Sequence, residues 1–366
     1  MYVLLFFSVI ALFLTLLSSR GAKFDGLKLG FFLVTLLAAI HYNYGSDYPE
    51  YLSKYKEFIS HSYSFIDVLK GDIDDRAGEN GWLLLMYLMR PLGISGFYVL
   101  VALLSIFQGV VVYQLIQKYV PNKWKVLALF VYLFNTSLYV GSMSGLRQHL
   151  AMTIIGCALP FILNKKLLYS LLIVLIATTV HKSAFVFIPF AFWGFISPRR
   201  GKLIVIILLA AVVVLFASKE YIEALSEWLF LIEDFQIYQH YAEQEKTVSY
   251  GIGFILSLIP VFLSLKILLK ANVSDDVYKI VGISAISYVL MPITTTIALA
   301  ARIGYYFEFF SIIALPYCYS SVKNKGIRIA LLALFVLLYV YSYYNYFFLP
   351  ERYQSTFIYH SLLELI

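Results

Sequence analysis

GSMSGLRQHLA, residues Gly141–Ala151, lies between two apolar runs, Val126–Val140 and Leu150–Leu163, and the way those runs frame it decides the fold. Arg147 opens the second run. An arginine at the mouth of a membrane segment is costly, so it either snorkels to the interface or meets a partner, a substrate or an aqueous cavity. Gly141, Ser142, Ser144 and Gly145 before it let the backbone turn or approach a ligand closely. Taken alone, the stretch reads equally well as a plain helix–loop–helix connection with an interfacial arginine.

The rest of the chain repeats the pattern. Of its 366 residues 61% are hydrophobic and only 13% charged, with a mean hydropathy of +0.82, values that no soluble domain of this size sustains. The sequence therefore reads as an all-α polytopic membrane protein, a single integral membrane domain over residues 1–366. Expected spans are 2–18, 28–43, 96–117, 125–141, 147–164, 167–181, 183–197, 203–217, 250–269, 279–298, 303–321 and 329–348. That makes about twelve transmembrane helices, most near the ~20 residues needed to cross hydrocarbon. Trp82–Arg90 is too short to cross and is broken by Pro91 and Gly93, so it reads as a re-entrant or interfacial helix. Met1–Ser19 is apolar from its second residue with no basic segment before it, which favours a retained first helix over a cleaved signal.

The net charge of +7 does not point to nucleic acid, because the basic residues sit in short clusters beside apolar runs. Arg20/Lys23/Lys28, Lys118/Lys123/Lys125, Lys165/Lys166, Arg199/Arg200/Lys202 and Lys323/Lys325/Arg328 fall on alternate connections, which the positive-inside rule assigns to the cytoplasm. Opposite them stand two acidic loops. Residues 44–80 carry eight acids against four bases, and 218–249 carry seven against two, so both loops and both termini are expected outside. Ile222, Leu225, Leu229 and Ile232 recur at helical spacing in the second loop, the mark of an amphipathic helix. Cys157 and Cys318 lie in apolar segments without CxxC or Cys/His spacing, so neither a disulfide framework nor a metal or cofactor site is expected. No internal repeat supports an inverted-repeat transporter.

On that topology the isolated polar residues gather at one face: Asp47 and Tyr48 after the second span, Arg76 and Glu79 before the short helix, Arg147 with Gln148, His181 with Lys182, and Arg302 near Tyr305. The planar fork of arginine suits phosphate or carboxylate at a low-dielectric boundary, and snorkelling remains the alternative for Arg147, Arg302 and Lys182. His181 reads as a base, a hydrogen-bond donor or interfacial filler. Asp47 and Glu79 each border a membrane segment, where partial desolvation is expected to raise a carboxylate towards the range of a useful base.

Gly45-Ser-Asp-Tyr-x-x-Tyr51 with Phe58, Glu79-x-Gly81, Leu146-Arg-Gln-x-Leu-Ala151, His181-x-Ser-Ala184, and Ala301-Arg302 before Tyr305-Tyr-Phe together resemble the EpsG-type, Wzy-like polysaccharide polymerases. The resemblance spans most of the chain in order, and its Arg-Gln and His-x-Ser-Ala pieces are the most specific. Ser46 stands where threonine is commoner in the family, and His41 where an arginine is expected early in the first motif. The resemblance implies a GT-C-like glycosyltransferase membrane fold in the bacterial cytoplasmic (inner) membrane, active outside the cytoplasm. It implies oligosaccharide donor and acceptor partners carried on undecaprenyl pyrophosphate, a chain-length regulator, and membrane lipid. Asp47, Glu79, His181, Arg147 and Arg302 would be catalytic, with the arginines stabilising the pyrophosphate in place of a metal. Arg76, Gln148, Tyr48, Lys182 and Tyr305 would bind substrate. A lipid-linked oligosaccharide ligase and a non-enzymatic flippase are the rival readings. A flippase would want a polar path across the membrane, whereas here polar residues gather on one side. A membrane O-acyltransferase fits less well, since the first helices lack a paired arginine and histidine.

Overall fold

The computed structural model describes residues 2–70, 79–197, 252–270, 273–294, 298–348 and 358–365, with isolated positions between them. The expected loop 218–249 with its amphipathic helix, most of the expected span 203–217, and Arg76 lie outside the described residues. From the N-terminus run α1 (Tyr2–Ser19), α2 (Gly26–Ala39), a two-residue strand β1 (His41–Tyr42), α3 (Tyr48–Ser60), α4 (Phe65–Lys70) and α5 (Asn80–Met89). Then come α6 (Ser95–Tyr119), α7 (Lys125–Phe134), the single turn α8 (Tyr139–Ser142), α9 (Leu146–Leu163) and α10 (Leu167–Val180). Beyond a stretch of 3-10 turns enclosing α11 (Ile188–Ala191) follow α12 (Ile252–Leu268), α13 (Asp275–Thr294), α14 (Ala298–Glu308), α15 (Ser311–Ser320), α16 (Lys325–Phe348) and β2 (His360–Ser361). Apart from the paired strands, the described residues are those of an all-α membrane protein. Among the described residues α1, α6, α9 and α16 are long and apolar enough to cross a bilayer, and α2, α10, Lys182–Phe195 and Ile259–Leu268 are shorter apolar helical segments.

Several expected continuous spans are interrupted, each for a local reason. The expected 28–43 helix stops at Ala39, and His41–Tyr42 turn extended to pair antiparallel with β2. The expected 125–141 helix ends at Phe134, where the Asn135 side chain accepts the Ser137 N–H at 3.1 Å and offers the backbone a turn instead of another helical bond. Residues 183–197 form short 3-10 and α turns, not one helix. The expected 303–321 segment breaks at Phe309–Phe310, which allows the Phe310 ring to stack on Phe187 at 5.7 Å.

The chain forms two compact units. The first comprises residues 1–159, 168–185 and 335–366. There α2 packs on α1 and α6, and its N-terminus is capped by Asp25, whose carboxylate accepts the Lys28 N–H at 2.9 Å. α3, an amphipathic helix within the acidic loop, lays Tyr48, Tyr55 and Phe58 onto Trp82, Leu83 and Met86 of α5 and Phe97 and Leu100 of α6. α5 ends where Pro91 and Gly93 (φ +58°) stop it. In the second unit, residues 160–167 and 186–334, α13 packs against α12, α14 and α15. The Trp193 indole N–H donates to the Lys279 carbonyl at 3.2 Å. Phe187, Phe190, Phe307 and Phe310 form an aromatic cluster there.

Candidate active site

Asp47 and Glu79 occupy the same structural position: each is the N-cap residue of a helix, α3 and α5, and neither side chain caps its own helix. An acid at that position ordinarily accepts the N–H of the first turn. Here the carboxylates are turned elsewhere, and for Glu79 the destination is visible.

The Glu79 carboxylate accepts two hydrogen bonds and has a histidine ring beside it. Arg147 Nη1 donates to Oε2 at 2.7 Å, the Lys182 backbone N–H donates to Oε1 at 3.0 Å, and His181 Nδ1 lies 3.3 Å from Oε1. Three segments far apart in sequence thus meet on one side chain. Gly81 makes this possible: a Cβ there would sit 2.4 Å from Thr179 Oγ1, so only glycine lets the start of α5 lie against the end of α10. The side chains of Glu79, His181 and Arg147 are 13%, 8% and 22% exposed, so the cluster is shielded but open on the arginine side.

The electrostatics follow from these contacts. Burial works against the charged form of Glu79, but the His181 contact, the Arg147 charge and the Lys182 N–H outweigh it and hold the carboxyl at about 2. The expectation that desolvation would raise Glu79 into the range of a base is therefore reversed. A carboxylate satisfied by a guanidinium and a backbone N–H is a weak proton acceptor and a firm anchor.

Arg147 is the second residue of α9, so its charge sits at the positive end of that helix's dipole. Its guanidinium also lies over the Tyr51 ring, 5.5 Å from the centroid. Burial raises the Tyr51 phenol, and neighbouring Arg147 pulls it the other way. Asp47 stands one helical turn before Tyr51, whose N–H donates to the Asp47 carbonyl at 3.0 Å. The half-buried Asp47 carboxylate accepts the Ser46 hydroxyl at 2.8 Å. The turn leading into Arg147 is fixed at both ends: the His149 ring nitrogens lie 2.8 Å from the Gly145 carbonyl and 2.9 Å from that of Ser137.

Asp47, Glu79, Arg147 with Gln148, and His181 with Lys182 thus belong to one compact unit, with Glu79 joining the segments of Arg147 and His181. Tyr48 is the exception. Expected at the substrate, it is fully buried instead, its ring packed edge-on against His41 at 5.2 Å and Phe97 at 5.3 Å. Lys182 contributes its backbone N–H to the cluster while its side chain is exposed. Arg302 and Tyr305 are half-buried on α14 in the second unit. Sequence reasoning missed the Tyr51 ring as a shelf for Arg147, although its spacing of four from Asp47 places both on one face of α3.

The family model described as the EpsG family matches residues 28–361. The chain belongs to the EpsG family. No curated protein and no solved structure matches it significantly. Membership brings a polysaccharide-polymerase type of role, glycosyltransferase-like in kind, and a place in a membrane. The motifs around Asp47, Glu79, Arg147 and His181 all fall within the matched residues.

Proposed function

We propose that this EpsG-family protein polymerises oligosaccharide repeat units carried on undecaprenyl pyrophosphate, on the outer side of the bacterial cytoplasmic membrane. A hydroxyl of the acceptor unit attacks the anomeric carbon of the donor glycan. The new glycosidic bond forms as the bond from that carbon to the pyrophosphate oxygen breaks, and polyprenyl pyrophosphate leaves. The hydroxyl proton passes to Asp47, and the electron pair leaves on the pyrophosphate.

The observation that carries this reading is the Glu79-centred cluster, in which one ionised carboxylate aims an arginine at the positive end of a helix. A pyrophosphate leaving group needs preplaced positive charge, and Arg147 with the α9 N-terminus offers it without a metal. In this scheme Glu79 orients Arg147 and His181 and does not accept the proton. Gln148 and Lys182 line the substrate, and His181 donates to it. Arg302, Tyr305 and Arg76 keep the roles their motifs suggest, Arg302 a catalytic one and the others substrate binding. A chain-length regulator is the expected protein partner.

The test is the banding of surface polysaccharide in cells whose only copy carries Arg147→Ala. The expected outcome is protein at normal membrane levels with single repeat units replacing long chains. Persistent long chains would overturn the pyrophosphate assignment, and loss of single units as well would point to a ligase or flippase.

A further inference from the structure

The C-terminal residues Tyr359–Leu365 fold into a small self-capped element far from the matched motifs in sequence. Ser361 and Glu364 form a reciprocal cap, the Ser361 N–H donating to Glu364 Oε1 at 3.0 Å and the Leu363 N–H to Ser361 Oγ at 3.1 Å. His360 Nδ1 sits 2.8 Å from the other Glu364 oxygen. This element docks on the end of α2. β2 pairs antiparallel with β1, setting Ser361 opposite His41 and His360 opposite Tyr42. The Leu362 N–H donates to the Ile40 carbonyl at 2.8 Å, and the Tyr359 hydroxyl to the Leu37 carbonyl at 3.0 Å. Carbonyls at a helix end have no partner within their own helix and are costly to leave bare near a membrane. The tail therefore supplies part of the C-terminal cap of α2.

The strand it grips leads directly to the site. The His41 ring is buried, with Nδ1 on the Ala38 carbonyl and Nε2 2.9 Å from the Met143 carbonyl. Gly45, at φ +81°, lies so close to Ser144 that a Cβ would approach its Oγ to 2.3 Å, and the Asp47 N–H donates to Ser144 Oγ at 3.4 Å. Segment 41–47 is thus interlocked with the turn 143–145 from which Arg147 rises. Two paired residues per strand are too few to hold by themselves in water, so β1 keeps its place only with the tail and the His41 ring together.

We infer that Tyr359–Leu365 is a clasp that positions Arg147, acting through His41 and the Met143–Gly145 turn. Its effect on turnover rests on the reading of Arg147 as pyrophosphate ligand, whereas its effect on the turn does not. Tyr359, Leu362 and His41 are positioning residues and touch no substrate.

The experiment compares the full chain with one ending after Ile358, each carrying Ser144→Cys in a Cys157→Ser/Cys318→Ser background. Loss of the clasp is expected to speed labelling of Cys at 144 by a soluble maleimide about tenfold. Polymerisation of lipid-linked repeat units should fall roughly 10–100-fold, as for a displaced positioning group. The loss should fall on the donor KM and kcat, leaving the acceptor KM within about twofold. His41→Ala should copy both effects, and His41→Gln should restore part of each. If the shortened chain does not accumulate, Leu362→Pro, which removes the N–H given to Ile40, takes its place. Tyr42→Cys with His360→Cys should form a disulfide within one chain and keep full turnover. Unchanged labelling in the shortened chain, or no Tyr42→Cys/His360→Cys disulfide, overturns the clasp. Arg147→Ala run alongside separates the two ideas: if it polymerises normally the function proposal fails, and the labelling and disulfide arms still decide the clasp.

Discussion

Among the described residues, buried Lys279 and half-buried Arg147 each pair with an acid, and the two pairs could hardly differ more. Lys279, 1% exposed, meets Asp275 one turn back on the same helix, and Asp275 is itself 47% exposed. Arg147 meets an acid 68 residues away, and that acid is shielded and shared with the Lys182 N–H and the neighbouring His181 ring. The first is a local arrangement: a long side chain lies along its helix, covers apolar surface with its methylenes and delivers its charge to water through a solvated partner. The second is a global arrangement that the fold must bring together and hold. Membrane proteins contain many pairs of the first sort, and burial of a cation alone does not mark a site. Convergence of remote segments on one carboxylate is what sets the Arg147 pair apart.

The contrast can be broken from its strong side first. Arg147→Ala should reduce polymerisation by more than about 100-fold, while Lys279→Met should leave polymer banding unchanged; equal losses in the two would erase the distinction. Next in size is Glu79→Gln, which keeps the shape but removes the charge that aims Arg147. We expect a loss of roughly 10–100-fold in turnover, and exchanging the pair as Glu79→Arg/Arg147→Glu should recover membrane levels but not turnover. Recovery of turnover by the exchanged pair would mean the two residues act only as a structural tie.

Acid stability gives a third, smaller contrast. The Glu79 carboxyl is held down to about 2 in the folded protein against an ordinary value near 4.5. A depressed carboxyl stabilises the fold fully above the unfolded value and loses that contribution as pH falls through the folded one. The protein should therefore lose on the order of 3 kcal/mol between pH 4.5 and 2, read as a falling thermal midpoint in detergent. Glu79→Gln should flatten that limb. The smallest effect is that of Lys279→Met on stability itself. Replacing a buried cation that has a solvated partner by an apolar side chain is often close to neutral, and the stability should change by only about 1 kcal/mol either way.

The sequence already showed the membrane class and the family, and it named Glu79, Arg147, His181 and Lys182, which the fold brings together, because hydropathy and short motifs are local properties. Glu79, Arg147 and His181 were each legible as expensive residues beside membrane segments. What they do to one another was not, because the sign of the Glu79 shift depends on partners 68 and 103 residues away. Desolvation alone argued for a raised carboxyl, and three contacts reversed it. Helix breaks at Asn135 and at Phe309–Phe310 were overlooked for another reason: the polar residues there, Asn135-Thr136-Ser137 and Glu308, are few enough to be averaged away inside long apolar runs, although Asn135 turns the backbone with its own side chain. The Ser361-x-x-Glu364 cap was readable as a helix-start signature, but nothing nearby in sequence named His41 as its neighbour.

The pairing of β1 with β2 also bears on how the protein is made. Leu37 and Tyr359 touch across 322 residues. During synthesis the first hairpin, α3, α5 and the turn before Arg147 are all inserted long before residues 358–365 leave the ribosome. If the clasp is needed to settle that turn, a chain that stops short of residue 359 carries every residue of the proposed site yet turns over slowly, and turnover rises only once the clasp has docked on α2.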